Sequence, residues 1–358
     1  MARISRRRFL EESALAGVGA AAAAGTLTGT VAQAADAAPA GKGAPLRLCR
    51  YQQGREIKVA LFNDDHLIDL HQLAAAVKVE LPKSADLLDY LPPDGKAAAA
   101  VAALPGQYAQ LPEKEQTRLR LPAETARLLV PIPEPKKVIL LAGNYGAHII
   151  EGGGQAPERK ETFPYFFWKP PSTTLTNPGD PIRIPKVSPD HVDWEIELGV
   201  IIGKRCRDVS EKEALGYVAG YSVCNDVSDR KFTINPDRKK RDKDSFFDWL
   251  HGKWHDTFLP MGPCVRAAGG GVDPQNFPLK LRVNGKTMQD ANTGQMIFPV
   301  AALVSILSSF TTLEPGDIIV TGTPAGVGNS RKPPVYLKKG DVVEAEIPGI
   351  GLLRNPVV

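Results

Sequence analysis

Residues 195–202 constrain the fold of this chain more strongly than any other stretch. Charged and apolar residues alternate at its start, where Glu195 and Glu197 flank Ile196, and the sequence then becomes apolar through Ile202. This pattern predicts a β-strand that enters a buried sheet. Side chains two residues apart on a strand point to the same face, so we expect Glu195 and Glu197 to be close neighbours.

A second apolar stretch, residues 217–224, is also predicted to be a strand, and Asp226 follows it closely. Carboxylates held together at the ends of buried strands repel each other and resist dehydration unless a cation joins them. A Glu-x-Glu pair alone is more often part of a solvated strand face, so Asp226 is what favours a metal site. Ligands that offer only oxygen suit Mg²⁺, Mn²⁺ or Ca²⁺ rather than zinc.

A histidine and a glutamate form a candidate general base. His148 and Glu151 are three residues apart, so in a helical turn they share one face and can form a hydrogen bond. A carboxylate behind an imidazole fixes its tautomer and suits it to activate water, whereas the alternative is a solvated helix face. The glycine-rich residues 152–157 that follow indicate a mobile segment of the kind that closes over a ligand.

Several cations and a glycine-rich segment are candidates for binding an anionic ligand. Lys253, in an aromatic neighbourhood, can stabilise a developing enolate or oxyanion, although a lone lysine is more often a surface residue. Arg230 can bind a carboxylate through two hydrogen bonds. In residues 321–328, Gly322 lets backbone amides and the Thr323 hydroxyl approach a bound carboxylate closely. No phosphate-loop lysine is present there, so phosphate binding is not expected.

Two further features lie close to these candidates. His255 follows Lys253 by two residues and is either an additional acid–base group or a hydrogen-bonded structural histidine, and we expect the structural role. Residues 231–249 are rich in charges of both signs. We expect a solvated polar loop near the entrance of the site there, rather than a nucleic-acid surface.

These stretches occur together in an order that resembles the fumarylacetoacetate hydrolase family. The resemblance runs from about residue 137 to the C-terminus and is weaker over residues 46–129. The seven matching motifs begin at Asn144, Phe167, Asp193, Asn225, Gly252, Thr293 and Pro315. Any one motif is weak evidence, but seven in the family's order are specific for membership, though not for a substrate.

The resemblance implies a divalent metal, Mg²⁺ or else Mn²⁺ or Ca²⁺, held by Glu195, Glu197 and Asp226, with a small anionic 2-oxo acid as its chelating substrate. It also implies a dyad that activates water, a catalytic lysine and a set of substrate contacts. These residues are, in that order, His148 with Glu151, Lys253, and Lys169 with Arg230 and Thr323. The fold it implies is α+β, mainly β: a mixed β-sandwich roll with a small N-terminal α+β domain, assembled as a homodimer.

We therefore expect a hydrolase that cleaves a carbon–carbon bond in 2,4-dioxo acids of the acylpyruvate or fumarylacetoacetate type. Isomerisation or hydration of 2-hydroxy-dienoates (as by a 2-hydroxyhepta-2,4-diene-1,7-dioate isomerase) and decarboxylation of oxaloacetate are alternatives, because all of these reactions share an enolate. His148 and Glu151 favour hydrolysis. A different class of function is an exported protein that binds chelating diacids without turnover.

The N-terminal sequence predicts export. Arg6 and Arg7, followed closely by Phe9 and a weakly apolar stretch, resemble a twin-arginine signal in residues 1–34, with cleavage before Ala35. We expect passage through the twin-arginine translocase, a periplasmic or other extracytoplasmic location, and no stable membrane association after cleavage. Loss of four arginines and two glutamates with that segment lowers the formal net charge from +4 to +2, which does not indicate a nucleic-acid partner.

The remaining chain divides into a linker (residues 35–44), a small N-terminal domain (45–130) and a catalytic domain (131–358). Strands are predicted at 47–51, 58–62 and 66–70, and the proline-rich residues 131–135 indicate a stiff hinge. Short apolar strands separated by glycine and proline turns dominate beyond the hinge, with one clear helix at 299–309. The four cysteines lack metal-type spacing, and we expect buried thiols.

Overall fold

The computed structural model describes residues 45–358, and eighteen strands form most of its secondary structure. The strands are β1 (Arg47–Gln53), β2 (Glu56–Phe62), β3 (His66–Asp69), β4 (Arg120–Pro122), β5 (Arg127–Leu129), β6 (Val138–Ala142), β7 (Tyr165–Trp168), β8 (Leu175–Thr176), β9 (Val192–Asp193), β10 (Ile196–Ile202), β11 (Val218–Asn225), β12 (Ser228–Asp229), β13 (Leu259–Ala267), β14 (Pro278–Val283), β15 (Lys286–Asn292), β16 (Ile318–Val320), β17 (Val342–Ile347) and β18 (Gly351–Pro356). The predicted strands near residues 47, 58, 66, 195 and 217 are all confirmed.

Helices are short and lie between the strands. They are α1 (Leu70–Ala76), α2 (Ala98–Ala109), α3 (Glu113–Leu119), α4 (Gly146–Glu151), α5 (Pro171–Thr174), α6 (Asp244–His251) and α7 (Val300–Phe310). The α7 helix is the predicted one, displaced by a single residue. It is apolar on most of its surface and is buried through Val300, Leu303 and Leu307. Within the described part of the chain, no helix is long and apolar enough to span a bilayer.

One large sheet organises the molecule. Its strand order is β4-β3-β2-β1-β13-β11-β10-β16-β6-β7, with β5 paired to β1 and β8 to β13. A separate four-stranded sheet has the order β15-β14-β17-β18, and β12 pairs with β9. The architecture is thus α+β and mainly β, as predicted.

The core lies on both faces of the large sheet, because alternate residues of each strand point to opposite sides. On one face Leu198 and Val200 of β10 pack with the four-stranded sheet and α7. On the other face Ile201 packs in a cluster that includes residues of α1 and α2. All four cysteines are free and buried, which agrees with the prediction.

The N-terminal segment shares the large sheet with the rest of the chain. Strand β1 pairs with β13, where Leu48 lies opposite Val265. The sheet is therefore continuous across residue 130, and the division into two domains there stays a prediction. The predicted signal and linker, residues 1–44, lie outside the described residues, and so does the basis for the predicted export.

The structure corrects the prediction for residues 231–249. We expected a polar loop, but its C-terminal part forms α6, in which Phe246, Phe247 and Trp249 share a helical turn with charged residues. The charges pair locally: Arg241 and Asp244 form an ion pair at 2.9 Å, and Arg238 bonds Asp248. Local pairing lets this charged segment form a helix whose apolar residues remain available for packing.

Candidate active site

Three buried carboxylates lie together where β10 and β11 meet. One oxygen from each of Glu195, Glu197 and Asp226 can be chosen so that all lie within 4.8 Å of one another. The register of the two strands produces this arrangement, because Glu197 lies opposite Cys224 at the end of β11. Asn225 holds the end of β11 against the start of β10, since its side-chain oxygen accepts a hydrogen bond of 2.9 Å from the Glu195 amide. The predicted proximity of the three carboxylates is confirmed.

Glu195 is strongly compensated by cations. One oxygen lies 2.5 Å from an Arg230 nitrogen and the other lies 2.5 Å from Lys253 Nζ. Burial alone would raise the pKa of Glu195, but the charges of Arg230 and Lys253 outweigh burial and hold that pKa below its usual value. Glu195 is therefore an anion at neutral pH.

Glu197 is the least compensated carboxylate of the three. Its one described hydrogen bond comes from the Gly322 amide at 2.5 Å. Burial and the charges of Asp226 and Glu195 raise its pKa well above the usual value. A buried carboxylate that lacks a compensating charge is stabilised when a cation is bound beside it. A set of ligands that offers only oxygen suits Mg²⁺ or Mn²⁺. These residues therefore fit the divalent metal that the sequence predicts.

The charge of the whole buried cluster also favours a cation together with an anion. The cluster contains four carboxylates and three basic side chains, namely Asp193, Glu195, Glu197, Asp226, Lys169, Arg230 and Lys253. Four negative and three positive charges leave one net negative charge. A divalent cation would make the cluster net positive by one, so an anionic ligand could then enter without leaving charge unbalanced.

Lys253 bridges two of the three carboxylates, because its Nζ lies 2.5 Å from both Glu195 and Asp226. Phe167 and Trp249 enclose it, with ring centres 5.3 and 5.8 Å from Nζ. Burial lowers the pKa of Lys253, but the charges of Asp226 and Glu195 outweigh burial and raise it, so this lysine is an ammonium ion. An ammonium has three N–H donors, which leaves one for a ligand.

Lys169 has no donor to spare. Its Nζ donates to the Val227 carbonyl at 2.8 Å, donates to the Phe258 carbonyl and lies 2.5 Å from Asp226. Burial lowers its pKa to about 8, although Asp226 opposes this shift. The structure therefore gives Lys169 the role of holding Asp226 in place, and its predicted contact with substrate stays a prediction.

Arg230 is also engaged within the protein, although less completely. Its Nε donates to Asp193 at 2.8 Å in addition to the contact with Glu195. Burial lowers the pKa of Arg230, but Glu195 and Asp193 outweigh burial and raise it. A guanidinium has five N–H donors, so Arg230 retains donors for an anionic ligand.

Gly322 and Thr323 line the cluster through their backbone and hydroxyl groups. Gly322 has a φ of +89°, and a Cβ there would lie 2.8 Å from Asn144 Cβ, so only glycine brings this amide to Glu197 without strain. The Thr323 hydroxyl donates to the Ile196 carbonyl at 2.9 Å and accepts from Gln289 at 2.8 Å. Thr323 thus supports the strand that carries Glu197, and a direct substrate contact by its hydroxyl stays a prediction.

The predicted histidine–glutamate pair forms on α4. His148 Nδ1 lies 2.8 Å from one oxygen of Glu151, and the other oxygen accepts a hydrogen bond of 2.9 Å from the Gly326 amide. Glu151 is therefore held at both oxygens, which fixes the imidazole ring. The charge of His148 is one of those that lower the pKa of Glu195, so the imidazole lies in the neighbourhood of the carboxylate cluster.

Sequence reasoning missed Asp193 and Gln289 as site residues. Asp193 is fully buried and accepts hydrogen bonds from Arg230 and from the amides of Gly328 and Asn329. Asp193 precedes Glu195 by two residues. The same spacing that placed Glu195 beside Glu197 could therefore have placed Asp193 beside Glu195. Gln289 is distant in sequence and bonds the Ile196 amide at 3.0 Å, and no local pattern reveals it.

His255 is packed within the protein, but its Nε2 makes no hydrogen bond among the described residues, so the predicted hydrogen-bonded structural role stays a prediction. Its Nε2 lies 3.4 Å from Asp229 Oδ2, and its ring packs between Phe232 and Phe258. Asp229 also accepts the Lys231 amide and donates its own amide to the Gly252 carbonyl. These contacts fasten the segment that carries Lys253 to β12.

Comparisons with known proteins show the family to which this chain belongs. Residues 137–358 match the family model for the fumarylacetoacetate (FAA) hydrolase C-terminal region. The mitochondrial oxaloacetate tautomerase FAHD2A of Bos taurus is 37% identical over 319 residues, which cover 87% of this chain and 92% of that protein. The 2,4-didehydro-3-deoxy-L-rhamnonate hydrolase of Sphingomonas sp. (strain SKA58) is 45% identical over 229 residues, or 64% of this chain and 75% of that protein.

Among solved structures, the fumarylacetoacetate hydrolase of Exiguobacterium antarcticum superimposes with a TM-score of 0.66 at 30% identity. The match covers 87% of this chain and 99% of that one. Because nearly the whole of that chain is matched, the similarity includes the N-terminal segment as well as the region that carries the carboxylate cluster.

Proposed function

Because this chain belongs to the fumarylacetoacetate hydrolase family, we propose that it is a divalent-metal-dependent hydrolase of 2,4-dioxo acids. The reaction is cleavage of the carbon–carbon bond between C3 and C4 by water. The observation that supports the proposal is His148, which is hydrogen-bonded to Glu151 and whose charge acts on the buried Glu195. Binding of a diacid alone would not need a base in that position.

The base acts through its free nitrogen. Since Nδ1 is hydrogen-bonded to Glu151, Nε2 is the atom that accepts a proton from water. The oxygen of that water attacks the C4 carbonyl of the substrate. The C3–C4 bond then breaks, its electron pair passes to C3 to form the enolate of a 2-oxo acid, and C4 leaves as a carboxylic acid. The imidazolium then donates its proton to C3, which completes the reaction and restores the neutral base.

The remaining residues bind the ion and the enolate. Glu195, Glu197 and Asp226 would hold Mg²⁺ or Mn²⁺, and that ion would supply a Lewis acid for the 2-oxo acid end of the substrate. Lys253 keeps one N–H donor and its positive charge in a buried site, where a fixed charge stabilises a developing enolate strongly. Arg230 retains donors for the substrate carboxylate.

A second candidate is keto–enol tautomerisation of oxaloacetate. It is favoured by the similarity to the Bos taurus oxaloacetate tautomerase, which extends over 87% of this chain. The two reactions share the enolate and the same cations, and they differ in whether a carbon–carbon bond breaks. Hydrolysis consumes one water for each substrate, whereas tautomerisation only moves a proton between carbon and oxygen.

The test uses the full-length chain with Mg²⁺ or Mn²⁺ and follows the absorbance of acetylpyruvate, fumarylacetoacetate and oxaloacetate, with EDTA as the metal-free reference. We expect decay of a dioxo acid that EDTA stops and that yields one 2-oxo acid or acetoacetate for each substrate consumed. His148→Ala should lower kcat by 100-fold or more, a typical contribution of a general base, and leave metal affinity unchanged.

His66 offers a matched control for His148. The two histidine side chains are 18% and 19% exposed, and each has Nδ1 within 2.8 Å of a nearby carboxylate, Asp65 or Glu151. His66→Ala should therefore leave kcat unchanged, because His66 is on β3 and has no contact with the cluster. Turnover of oxaloacetate tautomers without cleavage of either dioxo acid would replace hydrolysis with tautomerisation. Full activity of His148→Ala would refute the base assignment.

A further inference from the structure

Two of the cysteines lie on neighbouring strands of the large sheet, although they are far apart in the sequence. Cys49 belongs to β1 and Cys264 belongs to β13. These two strands pair antiparallel, and Leu48 lies opposite Val265 in their register. When this register is continued by one residue, Cys49 lies opposite Cys264.

The hydrogen bonds between β1 and β13 indicate how close the two cysteines come. In an antiparallel ladder, hydrogen-bonded pairs of residues alternate with pairs that are not hydrogen-bonded. The Ala267 amide donates to the Leu46 carbonyl at 2.9 Å, so these two residues form a hydrogen-bonded pair. Cys49 is three residues beyond Leu46 and therefore falls at a position without ladder hydrogen bonds. Cα atoms at such a position are about 4.5 Å apart, within the range of about 4.4–6.8 Å that a disulfide spans.

Both thiol groups point to the same face of the sheet. Cys49 and Cys264 belong to the core cluster on one face, whereas their strand neighbours Leu48 and Val265 belong to the cluster on the other face. Burial raises the pKa of Cys49 well above its usual value, and the charge of Cys264 raises it further. The two thiols are therefore near enough to interact.

The other two cysteines are not arranged as a pair in the described part of the chain. Cys224 is on β11 opposite Met261, and it belongs to the core cluster on the other face of the sheet. Cys206 lies beyond the end of β10 and forms an isolated bridge with Leu313. A disulfide that follows the register of the sheet is thus specific for one pair of the four thiols.

We propose that Cys49 and Cys264 form a disulfide in an oxidising compartment and that this bond ties β1 to β13. The oxidant is another disulfide, either of low molecular weight or on an oxidoreductase. One cysteine thiolate attacks a sulfur of that disulfide, which releases one thiol and leaves a mixed disulfide. The second thiolate attacks the cysteine sulfur of the mixed disulfide and releases the second thiol. Two electrons and two protons thereby pass from the cysteine pair to the oxidant.

Burial makes this exchange depend on local opening of the sheet. Cys49 and Cys264 are both 0% exposed, and burial raises the pKa of each thiol, so the reactive thiolate is scarce while β1 is in place. The register of β1 with β13 extends over two pairs, and β5 pairs with β1 from Arg50 onward. Opening of so short a ladder would expose both thiols without unfolding the rest of the sheet.

The bond would join the N-terminal segment covalently to the strand that leaves the active site. β13 begins directly after Phe258, whose carbonyl accepts a hydrogen bond from Lys169. The loop that the bond closes contains most of the chain between β1 and β13, and a cross-link that closes a long loop restricts the unfolded chain strongly. The predicted export would bring the chain to a compartment in which disulfides persist. Formation of the bond is measured without substrate, so its failure is distinguishable from failure of the proposed hydrolase activity.

Intact mass spectrometry of the full-length chain tests the proposal. The reduced protein is incubated with oxidised glutathione over a series of urea concentrations below the unfolding transition. We expect the mass to fall by about 2 Da and two of the four thiols to be lost to alkylation in denaturant. A non-reduced tryptic digest should contain the Cys49 peptide joined to the Cys264 peptide. Cys206→Ala is the matched control, because Cys206 is buried in the same core cluster, and this variant should still form the bond.

Urea unfolding provides a second measurement on the unmodified chain. The oxidised protein should unfold at a higher urea concentration than the reduced protein, and dithiothreitol should abolish the difference. Cys264→Ala should show no such difference. The proposal is overturned if all four thiols stay free at every urea concentration, or if the linked peptides contain Cys206 or Cys224. A glutathione adduct that stays on Cys49 or Cys264, or a bond that leaves the unfolding midpoint unchanged, would equally contradict it.

Discussion

Glu197 should lower the stability of the metal-free protein, and its replacement by glutamine tests the electrostatics of the whole site. Its carboxylate lies within 4.8 Å of both Glu195 and Asp226. Two like charges at that distance repel by about 3.5 kcal/mol when the effective dielectric constant is about 20. Attraction to Lys253 offsets part of this repulsion. We therefore expect Glu197→Gln to raise the free energy of unfolding in EDTA by about 2–3 kcal/mol at pH 7.

The sign of the pH dependence follows from the direction of the pKa shift. Burial and the neighbouring carboxylates raise the pKa of Glu197, so the folded protein binds this proton more tightly than the unfolded chain does. The charge therefore destabilises the fold only above the ordinary pKa of glutamate, about 4.3. The gain from Glu197→Gln should vanish below that pH and grow as the pH rises above it.

Glu195→Gln is the control, because it is the same substitution with the opposite expectation. Removal of the Glu195 charge leaves Arg230 and Lys253 each without one anionic partner. This should lower the free energy of unfolding in EDTA by about 3–5 kcal/mol. Urea unfolding in EDTA and in excess Mg²⁺ measures both effects. Unmodified protein should gain about 2.7 kcal/mol at a Mg²⁺ concentration 100 times the Kd, and both variants should lose this gain. Equal destabilisation by the two substitutions would refute the reasoning.

Two other substitutions test the supports of the site. Gly252→Ala would place a Cβ 2.3 Å from the Asp229 carbonyl oxygen, so it should displace Lys253 and lower kcat at least tenfold in steady-state assays, with little change in KM. Gly216→Ala, whose Cβ would meet nothing within 4 Å, should leave kcat unchanged. Lys169→Met removes a buried cation and the donor for two backbone carbonyls, and should cost about 3–5 kcal/mol in urea unfolding. Wild-type stability for this variant would contradict the role of Lys169.

Local patterns in the sequence predicted the parts of the site that depend on one element. Strand periodicity placed Glu195 and Glu197 side by side, and helical spacing placed His148 against Glu151 at 2.8 Å. Both predictions rest on the geometry of a single strand or a single helical turn, which the sequence specifies directly. The position of Asp226 was also inferred correctly, because its strand pairs with the one that carries the glutamates.

Contacts between distant segments could not be predicted in the same way. The pairing of β12 with β9 brings Arg230 to Asp193 and Glu195, two contacts that the sequence did not predict, whereas its predicted contact with substrate stays a prediction. That register is set by tertiary packing, and nothing within residues 226–230 specifies it. The helix α6 was missed for a related reason: its aspartates pair with arginines that precede the helix, and the charged composition of the whole stretch is typical of a solvated loop.

The two hydrogen bonds of Glu151 link the chemistry of His148 to the position of α4. One oxygen orients the imidazole, and the other binds the Gly326 amide in the segment after β16. If α4 moves away, Glu151 loses Gly326 and the imidazole loses its fixed orientation in the same step. In the proposed mechanism the base is therefore assembled only when this helix is in place, and water would not be activated while α4 is displaced.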